Sequence, residues 1–359
     1  MQGKMKAQIF YEPENMQMKE VDIPSISIDE VLIKVKACGI CGSDIAYYWG
    51  LSPLETPSGK GPLILGHELS GEVVEVGEIP KSLGLFTAGD RVVAEPVQYC
   101  NTCEVCKRGM VNLCENKTVL GVSTDGGFAE YVKAKYTAVH HLPSNVSFEE
   151  GAFVEPLSNA LYAIDNLNPS TGCFCVVFGP GPIGNMMVQL LKSKGAGKVV
   201  LVGTRDYRLE LGKDAGADVL INTKDRNSNY YVENLKEEIK KLTEGKMADR
   251  VICATGAVEP MQMALDISGR RAIIVYFGLP GPEDVVRLPV LDSLVMDKTI
   301  RFSWLNPFTY PATIQSIATG LVKVDKLITH RFNLDQLVNG LETIKNRQDN
   351  AMKGIVVFS

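Results

Sequence analysis

The chain lacks the features that mark a membrane protein or a nucleic-acid binder. No uninterrupted apolar run approaches the roughly 18 residues a membrane-spanning helix needs. The best candidate, Cys173 to Leu191, is broken by glycines, by Pro180 and Pro182, and by Asn185. Positive charge is not in excess: 37 Lys and Arg stand against 42 Asp and Glu, a net charge of -5. Nothing in that balance invites a polyphosphate partner. The stretch Met1 to Phe10 has two lysines but no apolar block after them, so no secretory leader is expected. Internal repeats and low-complexity stretches are absent. Histidine is scarce, four in 359 residues, so each one has to be accounted for.

What is there describes a soluble globular chain. Hydrophobic residues make up 45% and charged residues 22%, and the length suggests two domains. The nine cysteines are clustered rather than scattered. Cys100, Cys103, Cys106 and Cys114 share one short window, and Cys38 and Cys41 form another close pair. In a chain with no leader this pattern reads as metal before disulfide, and a reducing, cytoplasmic setting is expected.

Two textures divide the chain. From Lys6 to about Leu142, short β-rich runs such as Val31 to Val35, Gly71 to Val76 and Asp90 to Ala94 are punctuated by glycine. Alternation and turn signals predict a small, mostly antiparallel β domain. From Cys173 onward, strands and helices alternate. Strands are expected at 173–178, 198–202, 218–221, 250–254 and 271–277, with helices at 183–194, 207–215 and 230–242. That order predicts an α/β fold with a parallel, doubly wound sheet. After Ser293 the texture is mixed again, and the last strand, 354–358, could pair back onto the first domain.

Phe178-Gly179-Pro180-Gly181-Pro182-Ile183-Gly184 ends a predicted strand and opens a predicted helix. In that position G-x-G-x-x-G is a dinucleotide fingerprint. Gly179 permits the tight turn, Gly181 lets the backbone approach a pyrophosphate, and Gly184 allows close helix–strand packing. The helix N-terminus then offers free N–H groups to phosphate oxygens. An NAD site wants an acid at the end of the second strand, but Gly203 stands there, followed by Thr204 and Arg205. Thr204 and Arg205, helped by Arg208, suit a 2′-phosphate through charge-assisted contacts. NADP(H) is therefore expected over NAD(H). The alternative leaves Arg205 in solvent and gives the ribose to Asp206.

Cys100-x-x-Cys103-x-x-Cys106, with Cys114 after seven further residues, suits a closed tetrahedral zinc site. A ferredoxin-type cluster would show a shorter last gap and a following proline. Such a site braces a lobe and does no chemistry. A second set is dispersed: Cys41, His67, Glu68 and Glu155. A thiolate, an imidazole and a carboxylate with one open position describe a catalytic zinc. Two zinc ions per chain are expected.

These motifs together resemble the zinc-dependent medium-chain alcohol dehydrogenases, most closely the sorbitol (polyol) dehydrogenase branch. The resemblance spans nearly the whole chain. It rests on Gly39-Ile40-Cys41-Gly42-Ser43-Asp44, Gly66-His67-Glu68, the four-cysteine loop, Asp125-Gly126-Gly127-Phe128-Ala129-Glu130-Tyr131, Val154-Glu155-Pro156, the glycine turn and Ile328-Thr329-His330-Arg331-Phe332. It implies a GroES-like, mostly β catalytic domain from both chain ends (1–158 and 296–359), a Rossmann NADP-binding domain at 159–295, and commonly a homo-tetramer, with a dimer as the alternative. It implies hydride transfer between NADP(H) and a polyol or ketose. The relatives also include enzymes of sugar phosphates, glucose, threonine and simple secondary alcohols. Cys41 and His67 match zinc ligands, Glu155 matches the third-ligand position, and Glu68 matches a carboxylate that binds the ion or sits beside it. Asp44 matches the residue that orients the ligating histidine, Ser43 the hydroxyl that takes the substrate proton, and Tyr47 a substrate-side aromatic. Ile183, Arg208 and Phe277-Gly278-Leu279 match cofactor contacts. The distal relay histidine of many relatives is Ala46 here, so the proton must leave by ribose and water. The Arg-Tyr pair that touches polyols in animal sorbitol dehydrogenases is Leu305-Asn306, and Ser303-Trp304-Leu305-Asn306 resembles galactitol-phosphate dehydrogenases instead. His140 and His141 are expected to be structural, and His330 to be a packing residue.

Overall fold

The computed structural model describes residues 2–52 and 61–358. The chain divides into two units. The first comprises 1–156, 310–319 and 327–359; the second comprises 157–309 and 320–326.

The first unit is built on a mixed sheet whose strands run Val139–His141, Arg91–Ala94, Glu68–Val76, Glu30–Gly39, Lys353–Val357 and Ile328–Phe332 in spatial order. Tyr131–Lys135 adds a further antiparallel pairing to Glu30–Gly39. The core lies against this sheet: Val31, Ile33, Val35, Phe128, Leu337 and Val356 are almost wholly buried. Each such side chain contributes about 1.5–3 kcal/mol relative to exposure. The C-terminal strand pairs antiparallel with Glu30–Gly39, Ile355 opposite Gly39. The two ends of the chain therefore close one sheet.

The second unit carries six parallel strands in the order Val219–Asn222, Lys198–Gly203, Phe174–Phe178, Ala248–Cys253, Ser268–Tyr276 and Thr299–Phe302. Strands covered on both faces read as continuous apolar runs. Val176, Val177, Val200, Leu201, Val251 and Ile252 are accordingly fully buried. The first strand by sequence is central, and the chain leaves it in both directions. That switch point opens a crevice at the carboxyl ends of the strands.

Two expectations shift. The helix expected over 230–242 is confined to Leu235–Leu242. Upstream, the Asn222 and Val232 amides are spent on pairing with the edge of the sheet, and Asn234 caps the helix by accepting from the Glu237 N–H at 3.2 Å. The segment after 295 does not leave the parallel sheet at once. Thr299–Phe302 pairs with Ser268–Tyr276 as its sixth strand, so the second unit runs on to Thr309. A four-residue strand is too short to show a period in sequence.

Candidate active site and metal centres

In the first unit, Cys41 precedes the helix Gly42–Tyr48 and closes its capping box with Asp44. The Cys41 N–H donates to Asp44 Oδ2 at 2.8 Å, and the Gly66 N–H donates to Asp44 Oδ1 at 3.2 Å. One buried carboxylate thus ties together the two loops that carry Cys41 and His67. Asp44 Oδ1 also faces His67 Nδ1 at 3.6 Å, while Ser43 Oγ lies 3.3 Å from His67 Nε2. A carboxylate on the Nδ1 side fixes the ring and leaves the Nε2 lone pair to bind a metal ion or accept a hydrogen bond. Burial lowers the His67 pKa, but Asp44 and then Cys41 and Glu155 outweigh it and raise it well above the usual value.

Ligand atoms of Cys41, His67 and Glu68 lie within 4.8 Å of one another. Glu68 is 1% exposed and pairs with the buried Lys353 ammonium. Burial pulls the Lys353 pKa down, and Glu68, Cys41 and Asp44 more than restore it. Lys353 lies far along the sequence on the returning C-terminal strand, and no sequence signal marked it. Glu155, in the first turn of Val154–Leu167, stands outside the three-residue cluster, although its charge is felt at His67. Tyr47 is buried on the same helix as Ser43. A sulfur, a ring nitrogen and a carboxylate oxygen form a donor set that fits zinc with a position left open.

The second cluster is tighter. Cys103 Sγ and Cys114 Sγ are 3.8 Å apart, and Cys114 Sγ and Cys100 Sγ are 3.5 Å apart. Four sulfurs at tetrahedral bonds of about 2.3 Å would stand about 3.8 Å from one another. Cys106 completes the group, whose ligand atoms again lie within 4.8 Å. The Cys103 N–H donates to Cys100 Sγ at 3.3 Å and the Thr102 N–H does so at 3.5 Å. The Thr102 hydroxyl and these amides lower the Cys100 thiol to about 5. All nine cysteines are free thiols. The buried core of this lobe is small: Cys106, Val111 and Cys114, with Tyr99, Cys100 and Cys103 packed against them.

The remaining histidines belong to neither cluster. His140 stacks on Tyr310 at 5.2 Å, His141 on Phe86 at 4.9 Å, and His330 on Phe332 at 6.2 Å.

In the second unit, the residues expected to hold the cofactor gather at the carboxyl ends of the strands. Gly179 has φ +95°. A Cβ on Gly184 would meet the Gly179 carbonyl oxygen at 2.0 Å, whereas one on Gly181 meets nothing within 4 Å. Gly181 therefore faces open space, as a backbone that receives a phosphate must. Pro182 and Ile183 open the helix Pro182–Ser193. Asn185, which the sequence shows only as a polar break in an apolar run, fastens the turn by donating to the Pro180 and Gly181 carbonyls, both at 3.0 Å.

At the end of the second strand, a Cβ on Gly203 would lie 2.4 Å from Pro180 Cγ. No acid fits there. Thr204 and Arg205 are exposed beside it. Asp206 Oδ1 already accepts from Asn222 Nδ2 and Ser228 Oγ, both at 2.7 Å. Arg208 donates from Nε to the Tyr207 hydroxyl at 2.8 Å. Phe277 and Gly278 both donate their N–H to the Cys253 carbonyl, and with Leu279 they line an apolar cavity of about 520 Å³. Across the carboxyl edge of the sheet, Ser158 and Asn306 form a buried pair, Asn306 Nδ2 donating to Ser158 Oγ at 2.5 Å.

The two units define a zinc-binding dehydrogenase, an oxidoreductase in which a metal-donor domain accompanies a dinucleotide fold. Comparison with known proteins gives the family. Residues 27–144 match the alcohol dehydrogenase GroES-like domain, and residues 182–319 match the zinc-binding dehydrogenase domain. The chain is 32% identical to sorbitol dehydrogenase of Bacillus subtilis over 98% of its own length and 97% of the relative's. It is 33% identical to D-arabitol-phosphate dehydrogenase of Enterococcus avium over 90% and 89%. A solved zinc-binding dehydrogenase from Sinorhizobium meliloti bound to NADP superposes with TM-score 0.89 at 28% identity, covering 99% and 100% of the two chains. The rspB short chain alcohol dehydrogenase of Escherichia coli, complexed with NADH, superposes at 0.88 with 30% identity, covering 99% of each. The chain belongs to the zinc-dependent medium-chain alcohol dehydrogenases, in their sorbitol-dehydrogenase-like branch.

Proposed function

We propose that this enzyme moves a hydride between NADP(H) and a secondary alcohol, or its ketone, on a polyol or sugar. The observation that carries the reading is the Cys41–His67–Glu68 donor cluster with the Ser43 hydroxyl beside the histidine. Zinc held by Cys41, His67 and Glu68 would supply Lewis acidity, polarising a carbonyl or lowering the pKa of a hydroxyl. Glu155, in the first turn of Val154–Leu167, is the alternative carboxylate. Ser43 takes the substrate proton in the oxidative direction and returns it in the reductive one. Asp44 keeps the ring of His67 oriented throughout. Cys100, Cys103, Cys106 and Cys114 hold a second zinc that braces their lobe.

The cofactor preference rests on the end of the second strand. Gly203 leaves no room for an acid, Asp206 is engaged by Asn222 and Ser228, and Thr204 and Arg205 are free to meet a 2′-phosphate. Steady-state kinetics with both cofactors test this: kcat/KM is expected to favour NADP, and a preference for NAD overturns it. A sugar-phosphate substrate is the second reading. It is favoured by Ser303-Trp304-Leu305-Asn306 and by the similarity to an arabitol-phosphate dehydrogenase. A panel of polyols, polyol phosphates, ketoses, aldoses and threonine separates the two.

We also propose a homo-oligomer, a tetramer or a dimer, in the reducing setting that nine free thiols suit. The supporting surface is the helix Val290–Val295, which has no buried residue. Leu291, Leu294 and Val295 are each more than 70% exposed, as is Phe302 on the edge strand of the parallel sheet. An open strand edge beside so much apolar surface is the place for a second copy. Among the described residues no helix is long and apolar enough to cross a membrane.

A further inference from the structure

Two cysteines have no part in the metal clusters or the cofactor turn, yet they touch. Cys173 and Cys175 lie on either side of Phe174 where the central strand Phe174–Phe178 begins. Residues two apart on a strand share a face, and their sulfurs are 3.3 Å apart. Both side chains are nearly or fully buried, at 5% and 0% exposure. They are not equally secluded. Cys173 lines a polar cavity of about 590 Å³ at the amino end of the sheet, together with Gly172, Asp249, Arg250, Arg270 and Arg271. Cys175 lies behind it and does not line the cavity. The walls are anchored, since the Phe174 N–H donates to Asp249 Oδ2 at 2.8 Å and Arg250 Nε donates to the Asn168 carbonyl at 2.9 Å.

We propose that Cys173 and Cys175 form an oxidisable dithiol, a modification site at which a hydroperoxide entering the arginine-lined cavity closes an intramolecular disulfide. The chemistry balances with the peroxide as oxidant. The Cys173 thiolate attacks one peroxide oxygen, the O–O bond breaks, and sulfenic acid forms as hydroxide leaves. Cys175 sulfur then displaces the sulfenic oxygen, the S–S bond forms, and the two protons of the dithiol end on water. Two sulfurs are each oxidised by one electron and two peroxide oxygens are each reduced by one.

The cavity sets the order of attack, since Cys173 lines it and Cys175 does not, and the electrostatics run the same way. The hydrogen bond from Cys175, and then Arg250, outweigh partial burial and lower the Cys173 thiol to about 7. The same pairing, with burial, pushes the Cys175 thiol far up. The cavity-lining member is therefore the nucleophile and the other the resolving thiol. An i, i+2 pair spans about 6.6 Å between Cα atoms in extended chain, near the upper end of the disulfide range.

The sequence provides a clean assay. Residues 136–192 contain no lysine or arginine before Lys192, and their only cysteines are Cys173 and Cys175. Zinc-loaded full-length enzyme is exposed to stoichiometric hydrogen peroxide, acid-quenched, alkylated under denaturing conditions and cleaved after lysine and arginine. The fragment is expected to lose the mass of two hydrogens and both alkyl labels, and dithiothreitol should restore both. In Cys175→Ser the reaction should stop at a sulfenic acid on Cys173 that dimedone captures. In Cys173→Ser the fragment should keep its single label. Wild-type enzyme that retains both labels, or that gains oxygen on Cys173 without losing two hydrogens, overturns the proposal. That wild-type measurement stands even if a variant folds poorly.

Discussion

At the scale of single residues, the proposed mechanism gives Cys41 and His67 one metal donor each. Cys41→Ser or His67→Ala should cut kcat/KM by about a thousandfold or more, since Lewis-acid assistance is worth several kcal/mol and each 1.36 kcal/mol is tenfold. Circular dichroism should show the fold intact, and elemental analysis should show one zinc retained. Normal turnover with that ion missing would refute the mechanism. The two glutamates separate by the same assay. Glu68, inside the donor cluster, should lose the ion on change to Gln, whereas Glu155→Gln should keep it; the reverse result would exchange their roles. Arg205→Ala should lower kcat/KM for NADP by roughly 10- to 100-fold, the worth of a hydrogen bond to a charged group, and leave NAD nearly unchanged. Cys41, His67 and Glu68 could be read from the sequence because each sits in a short glycine-flanked motif. Lys353 could not: it meets Glu68 only through the pairing of Ile355 with Gly39.

At the scale of elements, the glycine turn and the four-cysteine loop are held by different physics. The turn depends on close backbone approach. Gly184→Ala would press a methyl against the Gly179 carbonyl and should cost about 1–3 kcal/mol as overpacking. Denaturant unfolding of the second unit's transition, together with a raised Kd for NADP, checks this. On the proposed reading, the loop depends on a zinc held by its four sulfurs. Cys103→Ser should reduce the zinc count by one and lower Tm, with each kcal/mol lost worth roughly 2–4 °C. An unchanged Tm in a variant with one zinc would show that the lobe does not need the metal. Strands and helices of the second unit were legible because buried parallel strands are uninterrupted apolar runs. The exceptions are local. The helix at Leu235–Leu242 starts later than its amphipathic pattern suggests because the segment before it pairs with the sheet edge. The sixth strand, Thr299–Phe302, carries Arg301 and is mostly exposed, so neither periodicity nor hydrophobicity announces it.

At the scale of the whole molecule, the exposed helix Val290–Val295 and the neighbouring sheet edge should carry the association of copies. Leu294→Asp should shift the mass measured by light scattering toward that of one chain, while an unchanged mass would place the interface elsewhere. The sequence by itself determined the class of chemistry, because metal-donor residues and a phosphate-binding turn are local patterns whose side-chain types admit few substitutes. It also determined the α/β half, because strand and helix periods differ along the chain. Only the tertiary structure brings Glu68 beside Cys41 and His67, shows why Gly203 excludes an acid, and sets Cys173 rather than Cys175 against the polar cavity. Each of those depends on which distant segments pack together, and a period or a spacing along one chain carries no record of what lies across the fold.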